Sequence, residues 1–159
     1  MFYIIGEMMD DLEYFAGSCF MYKHRGDTTK LIFGPVWDFG NAFQRWAAYG
    51  DTEFNKFIYQ QPTPFKSHWI EEIYKFPRFR KTVRRHWRKF YGSGFNGLDI
   101  DRYINDFVNM IKPAFDADVT RWPQYDIEYQ KYDFSLFLHS KIDWLQSQWG
   151  DETMAGAPE

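Results

Sequence analysis

Apolar residues recur at helical spacing through most of the chain, and one short stretch breaks that rhythm. Ile5, Met8, Met9, Leu12 and Phe15 or Ala16 fall on one stripe, with Glu7, Asp10, Asp11 and Glu13 on the other faces. This spacing predicts a helix over residues 2–16, stopped by Gly17-Ser18. Two short apolar and aromatic segments follow, 18–23 and 30–33, separated by Gly26-Asp27, a turn signal. They predict a β-hairpin. Arg25-Gly26-Asp27 also spells an adhesion tripeptide, but glycine and aspartate are what a hairpin turn requires, and the turn is the reading adopted.

Residues 44–63 read as irregular, with Phe54, Phe57, Ile58 and Tyr59 expected to pin them to the core. Residues 67–75 predict a short helix. Residues 77–91 predict a clearer one, with Pro77 in the first turn, where proline is tolerated, and Phe79, Val83, Trp87 and Phe90 inward. Gly92-Ser-Gly94 ends it. Residues 99–121 predict a long helix with Asp99 as cap. Its expected inner side is Ile100, Tyr103, Ile104, Phe107, Val108, Ile111 and Phe115. Pro113 is expected to kink or split that helix, and Trp122-Pro123 to end it. A polar, tyrosine-rich loop is expected over 123–132. A last helix follows over 133–149, with Phe134, Phe137, Leu138, Ile142, Leu145 and Trp149 inward and Gly150 as cap. Residues 151–159 are expected to be disordered. No repeat or linker is visible. The fold class is α+β, mostly α: a helix, a β-hairpin, then a helical bundle, in one domain over 1–150.

The stretch that breaks the helical pattern is Leu31-Ile-Phe-Gly-Pro-Val-Trp-Asp-Phe-Gly-Asn-Ala-Phe43. Glycine permits unusual backbone angles and proline fixes one. The stretch is suited to end a strand and to hold the Asp38 carboxylate at a set angle. Asp-Phe-Gly is also the magnesium-holding tripeptide of protein kinases. A tripeptide alone is weak, since an aspartate there also serves as an ordinary turn residue.

Composition narrows the functions. The 159 residues suit one domain, and 45% apolar content supports a core. Aromatic content of 22% points to a core filled by rings, with a ring-lined groove for sugars or nucleotides as the sharper reading. A net charge of −3 excludes a globally basic nucleic-acid binder. The eight Lys or Arg between Ile73 and Leu98, with no acid among them, read first as a solvated face and second as a surface for phosphates or an acidic partner. The single Cys19 excludes an internal disulfide framework and reads as a small buried apolar residue. His24, His68, His86 and His139 lack metal-ligand spacing. No apolar run approaches the ~18 residues of a membrane span. The opening Met-Phe-Tyr-Ile-Ile-Gly-Glu lacks the marks of a signal peptide and begins inside an element, which suggests a piece of a longer protein.

Phosphoryl transfer needs magnesium held against phosphates and a base near the acceptor hydroxyl. In kinases a base Asp is followed five residues later by a metal-binding Asn, and then by the strand-end Asp-Phe-Gly. Here Glu13 is followed five residues later by Ser18, and a hairpin leads to Asp38-Phe39-Gly40. Asp10 and Asp11 read equally as a solvated helix face or as part of a site.

Glu7-Met-Met-Asp-Asp-Leu-Glu13, Gly17-Ser-Cys-Phe-Met-Tyr-Lys23, Phe33-Gly-Pro-Val-Trp-Asp-Phe-Gly-Asn41 and Trp144-Leu-Gln-Ser-Gln-Trp-Gly150 give the chain its likeness to a known family. It resembles the C-terminal part of the spore coat protein H (CotH) kinase-like family over nearly all of residues 1–150. The resemblance implies an atypical protein-kinase-like C-terminal lobe whose parent binds ATP and Mg2+ and phosphorylates serine in a protein substrate. It further implies a bacterial surface or secreted parent. Carried over by position, Asp38 is the metal-binding Asp, Glu13 stands where the family has its catalytic Asp, Ser18 where it has a metal-binding Asn, and Asp11 at a nucleotide-site position often held by Asn. The exchanges at 13 and 18 leave both an active and a degenerate parent open. The glycine-rich loop and phosphate-binding lysine would precede Met1, so residues 1–159 alone are not expected to transfer phosphate. The alternative from another class is a noncatalytic surface or carbohydrate-associated binding module. A purely structural helical domain is a third reading, and it leaves the glycine-flanked Asp38 unexplained.

Overall fold

A computed structural model describes residues 1–26, 28–43, 53–61, 67–93, 97–123 and 126–151. In order these are α1 (Phe2–Met9), β1 (Met21–Lys23), β2 (Leu31–Phe33), α2 (His68–Tyr74), α3 (Pro77–Tyr91), α4 (Gly97–Arg121) and α5 (Ile127–Trp149), with single 3-10 turns at Phe39–Asn41 and Ile58–Gln60. The mostly helical α+β class is as expected. β1 and β2 pair antiparallel, Met21 opposite Phe33 and Lys23 opposite Leu31. Asp27 in the hairpin turn and residues 152–159 at the end lie outside the described residues.

The first helix is shorter than its apolar spacing predicts. It ends at Met9, because Asp10 turns left-handed (φ 47°, ψ 39°) while its N–H still bonds the Gly6 carbonyl. Aspartate is among the few side chains that enter this region at small cost. Residues 11–18 then run in turns, and Leu12 and Phe15 are buried from that path rather than from a helix. Close packing sets the loop against α1. A Cβ on Gly6 would lie 2.3 Å from the Tyr14 ring and 2.7 Å from that of Phe15, so only glycine fits.

α3 has the expected bounds, with Pro77 in its first turn. α4 passes through Pro113 as one helix of 25 residues, so no split occurs there. α5 starts earlier than expected, at Ile127. The Asp126 carboxylate accepts hydrogen bonds from the Glu128 and Tyr129 N–H groups and caps residues that read as loop.

α5 packs against α1, α3 and α4 and is the centre of the molecule. The core is built mainly of rings. Trp149 meets Tyr3, Phe57 and Trp87 at centroid distances of 5.9, 5.7 and 5.3 Å. Phe57 and Ile58 are buried, as anticipated, but Phe54 is exposed. Tyr103 and Phe107 are also exposed (68% and 55%) rather than inward; among the described residues α4 packs mainly on α5, and it buries Ile100 and Val108, with Ile104 partly buried against the core. Cys19 is half-buried and lies just before β1 rather than in it.

Candidate functional site

The hairpin and the loop of residues 10–18 meet at one place. After β2 the chain passes a cis Gly34-Pro35 bond and reaches Asp38 in left-handed geometry, φ 62° and ψ 51°. Phe39 stacks on Tyr14 at 5.2 Å with planes 17° apart, which brings the residue after Asp38 onto the residue after Glu13. The Trp37 indole N–H donates to the Ser18 carbonyl at 2.9 Å, and the Trp69 indole N–H to that of Phe15 at 2.8 Å. Two indoles thus fix the loop from outside. Each supplies a large apolar contact and one directed donor.

Within this frame the Ser18 hydroxyl donates to Asp38 Oδ2 at 3.0 Å. Asp38 faces solvent and Ser18 is buried. Asp11 is fully buried; its Oδ1 accepts from the Glu13 N–H at 2.9 Å, while its Oδ2 finds no partner among the described residues. Burial pushes the Asp11 carboxyl up to about 6. The Glu13 N–H opposes this rise, and the Glu13 and Asp38 charges add to it. The four residues named from sequence therefore form one neighbourhood: Ser18 touches Asp38, Asp11 touches Glu13, and Asp11 lies in the field of Glu13 and Asp38. The reading of Asp10 and Asp11 as a solvated helix face is overturned, since both are wholly buried.

Asp10 belongs to a different construction. Its Oδ1 accepts from Lys141 Nζ at 2.8 Å and both its oxygens are reached by the Gln61 amide. Lys141 also donates to the Lys56 carbonyl. Alongside, Glu7 Oε2 accepts from the Ile58 N–H at 3.0 Å, and burial pushes the Glu7 carboxyl up to about 7 against the Lys141 charge. The network ties α1 and α5 to the 53–61 segment. One signal for it was legible: Lys141 falls on the inward stripe of α5 with Leu138, Ile142 and Leu145. Gln61 gave none. His139, read as incidental, pairs with Asp101 Oδ1 at 2.8 Å, and this bond with that from Ser135 holds the Asp101 carboxyl below its ordinary range.

Among the described residues no group of three His, Cys, Asp or Glu side chains could hold a metal ion by itself. The Asp38 carboxylate and the Ser18 hydroxyl could hold an ion only together with other ligands, and Asp11 Oδ2, without a partner among the described residues, is a further acceptor in the same neighbourhood.

The raised Asp11 group carries a pH signature. An unfolded Asp titrates near 3.9. Below that value both states are protonated and the native state bears no cost. As pH rises through about 6 the folded carboxyl must ionise in a buried place, and stability falls. Asp11→Asn is therefore expected to be destabilised less than wild type on going from pH 4 to pH 6.5, by about 1–3 kcal/mol from ~1.4 kcal/mol per unit. Urea unfolding at the two pH values measures it. Parallel slopes in both proteins would remove Asp11 as the cause. Glu7, raised in the same sense, leaves a slope in both.

No helix among the described residues is long and apolar enough to cross a membrane. No curated protein and no solved structure matches the chain. The family model described as CotH kinase protein matches residues 1–149, which include the turn-rich loop, the hairpin, Asp38 and the whole of α5. With all but the last residues matched and the Glu13, Ser18 and Asp38 segments gathered at one place, the chain belongs to the CotH kinase protein family.

Proposed function

We propose that this chain forms the metal-facing half of a kinase-like nucleotide site, in a parent protein that binds ATP with Mg2+ and transfers phosphate to a protein serine. The observation that carries the reading is the 3.0 Å hydrogen bond from Ser18 to Asp38, which joins the loop and the end of the hairpin. Asp38 and Ser18 would hold the ion, and Asp11 would border the nucleotide. Glu13 would accept the proton of the acceptor hydroxyl. A bound Mg2+ would neutralise charge on the phosphates. Glu13 reaches one methylene further than an aspartate, and Ser18, neutral as Asn would be, offers a hydroxyl in place of an amide carbonyl, so the formal charge of an Asp/Asn/Asp set is kept while the ion gains only one carboxylate from the Asp38–Ser18 pair. Nucleotide-assisted binding of the ion is expected rather than capture of the ion alone.

Calorimetry tests this. Mg2+ with ATP should give a binding isotherm with wild type, weakened about tenfold or more in Asp38→Ala, the scale on which metal-site residues act. Asp38→Asn is the control for backbone shape, since Asn also tolerates the left-handed region. Equal binding by wild type and Asp38→Ala would remove Asp38 from the site.

A further inference from the structure

α3 is the basic element of an otherwise acidic chain. The sequence has 22 Asp or Glu and 19 Lys or Arg, and eight of those bases lie between Ile73 and Leu98 with no acid among them. The helix divides them. Arg80 turns back to the start of α3, donating to the Tyr74 and Lys75 carbonyls, and Arg84 and Arg88 have partners of their own. Arg78, Lys81, Arg85 and Lys89 remain, all four exposed and none with a side-chain hydrogen bond or ion pair among the described residues. Their steps of three, four and four put them in one row, on the side of the helix away from the buried Val83 and Trp87. At a rise of about 1.5 Å per residue the row is roughly 16 Å long.

The row stands against its own local electrostatics. Like charges four residues apart on a helix repel, as Lys81 and Arg85 do, and Arg85 and Lys89. Arg78 lies in the first turn, where the helix dipole disfavours a cation and no acid offsets it. Outside α3 the bases are treated differently: Lys56, Lys75, Arg102, Lys112 and Lys131 each pair with an acid three or four residues away. The unbalanced charge is felt at a neighbouring side chain. Burial, and then the positive charges of the Met1 amino group, Arg85 and Lys89, hold the His86 ring below its ordinary range. An anion laid along the row removes the repulsion and supplies the missing counter-charge.

We propose that this outer row of α3 docks a short acidic segment of a protein partner, in extended conformation. Lys81, Arg85 and Lys89 follow one another at about 6 Å along the helix axis, close to the roughly 6.7 Å between alternate residues of an extended chain, whose side chains share one face. About five or six extended residues span the row, so Asp or Glu at every second position meets the cations in turn. Length and composition select this occupant. A nucleic acid would run past the row onto a surface in which acids outnumber bases, and no aromatic side chain stands in the row to stack a base. A basic helix that lies on a membrane sinks its apolar face into the lipid, whereas Phe79, Val83 and Trp87 of α3 are spent on the core. The contact is salt-sensitive and serves encounter and orientation more than tight binding. This inference does not depend on the nucleotide site.

The test uses the whole chain and three labelled synthetic peptides of about six residues, the length that covers the row. One alternates Glu with Ser, one has Gln in place of Glu, and one has Lys. By fluorescence anisotropy at low salt the Glu peptide should bind, more weakly as salt rises, and the other two should not. Lys81→Gln/Arg85→Gln, which puts a good helix former at two exposed positions, should bind the Glu peptide about three- to tenfold more weakly, the scale of two exposed charge pairs. Arg102→Gln/Lys112→Gln, which removes the same charge from α4, should bind it as wild type does. Circular dichroism verifies that both variants are folded. No binding of the Glu peptide, unchanged binding by Lys81→Gln/Arg85→Gln, or an equal loss in the two variants overturns the proposal. So does tighter binding, at equal concentration of anionic charge, to phosphatidylglycerol vesicles or to a thymidine oligonucleotide that Lys81→Gln/Arg85→Gln weakens. Either result would give the row to a lipid surface or to a nucleic acid.

Discussion

Lys141→Met is expected to lower stability by about 3–5 kcal/mol, the cost of removing one partner from a buried ion pair. Lys141 Nζ is fully buried between Asp10 Oδ1 at 2.8 Å and the Lys56 carbonyl, 5.1 Å from the centre of the Trp144 ring. Methionine fills much of the same volume, so the loss is one of charge rather than of packing. It leaves the Asp10 carboxylate in a dry place without the ammonium that balances its charge. The double variant Asp10→Asn/Lys141→Met should recover most of the loss, because asparagine keeps the left-handed angle at position 10 and brings no charge. Urea midpoints measure all of these. A single variant as stable as wild type would show that the pair is solvated in the native state. If the single variant does not fold, recovery in the double variant still tests the argument.

Trp149→Ala is expected to cost about 3–5 kcal/mol, the range for deleting a large ring from a core. Trp149 is 1% exposed and touches rings from three other segments, Tyr3 on α1, Phe57 and Trp87 on α3. Its indole N–H donates to the Tyr74 hydroxyl at 3.0 Å, so truncation also removes that hydroxyl's donor. Trp149→Phe should cost less, since it keeps a ring and loses the hydrogen bond. A loss below 1 kcal/mol for the alanine variant would mean that α5 does not close the core at its C-terminal end.

The parts of the fold that could be read from sequence are those with local punctuation. Gly26, Gly34-Pro35 and Gly40 bracket the hairpin and Asp38, and Pro77 marks the start of α3, so these elements lie where they were expected. The end of α1 had no such mark. Leu12 and Phe15 satisfy helical spacing and are buried anyway, so periodicity could not separate a continued helix from a chain that turns at Asp10. The early start of α5 was hidden because its cap, Asp126, sits in a run of polar and tyrosine residues that carries no apolar rhythm. Tyr103 and Phe107 fit the inward side of α4 by spacing, but among the described residues this 25-residue helix packs mainly on α5, and spacing alone could not show which of its apolar side chains that packing leaves exposed. At the candidate site the order of acids was visible in the chain. The Ser18–Asp38 contact and the burial of Asp11 were not, because both depend on Trp37, Trp69 and Phe39 closing the loop from distant positions.

The continuous ring cluster has an optical consequence. Trp87 and Trp149 lie 5.3 Å apart with their planes at 72°, and Tyr3, Phe57 and Tyr74 extend the same chain of contacts. Chromophores held this closely and asymmetrically share their excitations, so the near-ultraviolet dichroism of this protein should be intense and should come from the middle of the molecule. That band vanishes when side-chain order is lost while helices persist, which makes it a built-in gauge separating the packed protein from a merely collapsed one.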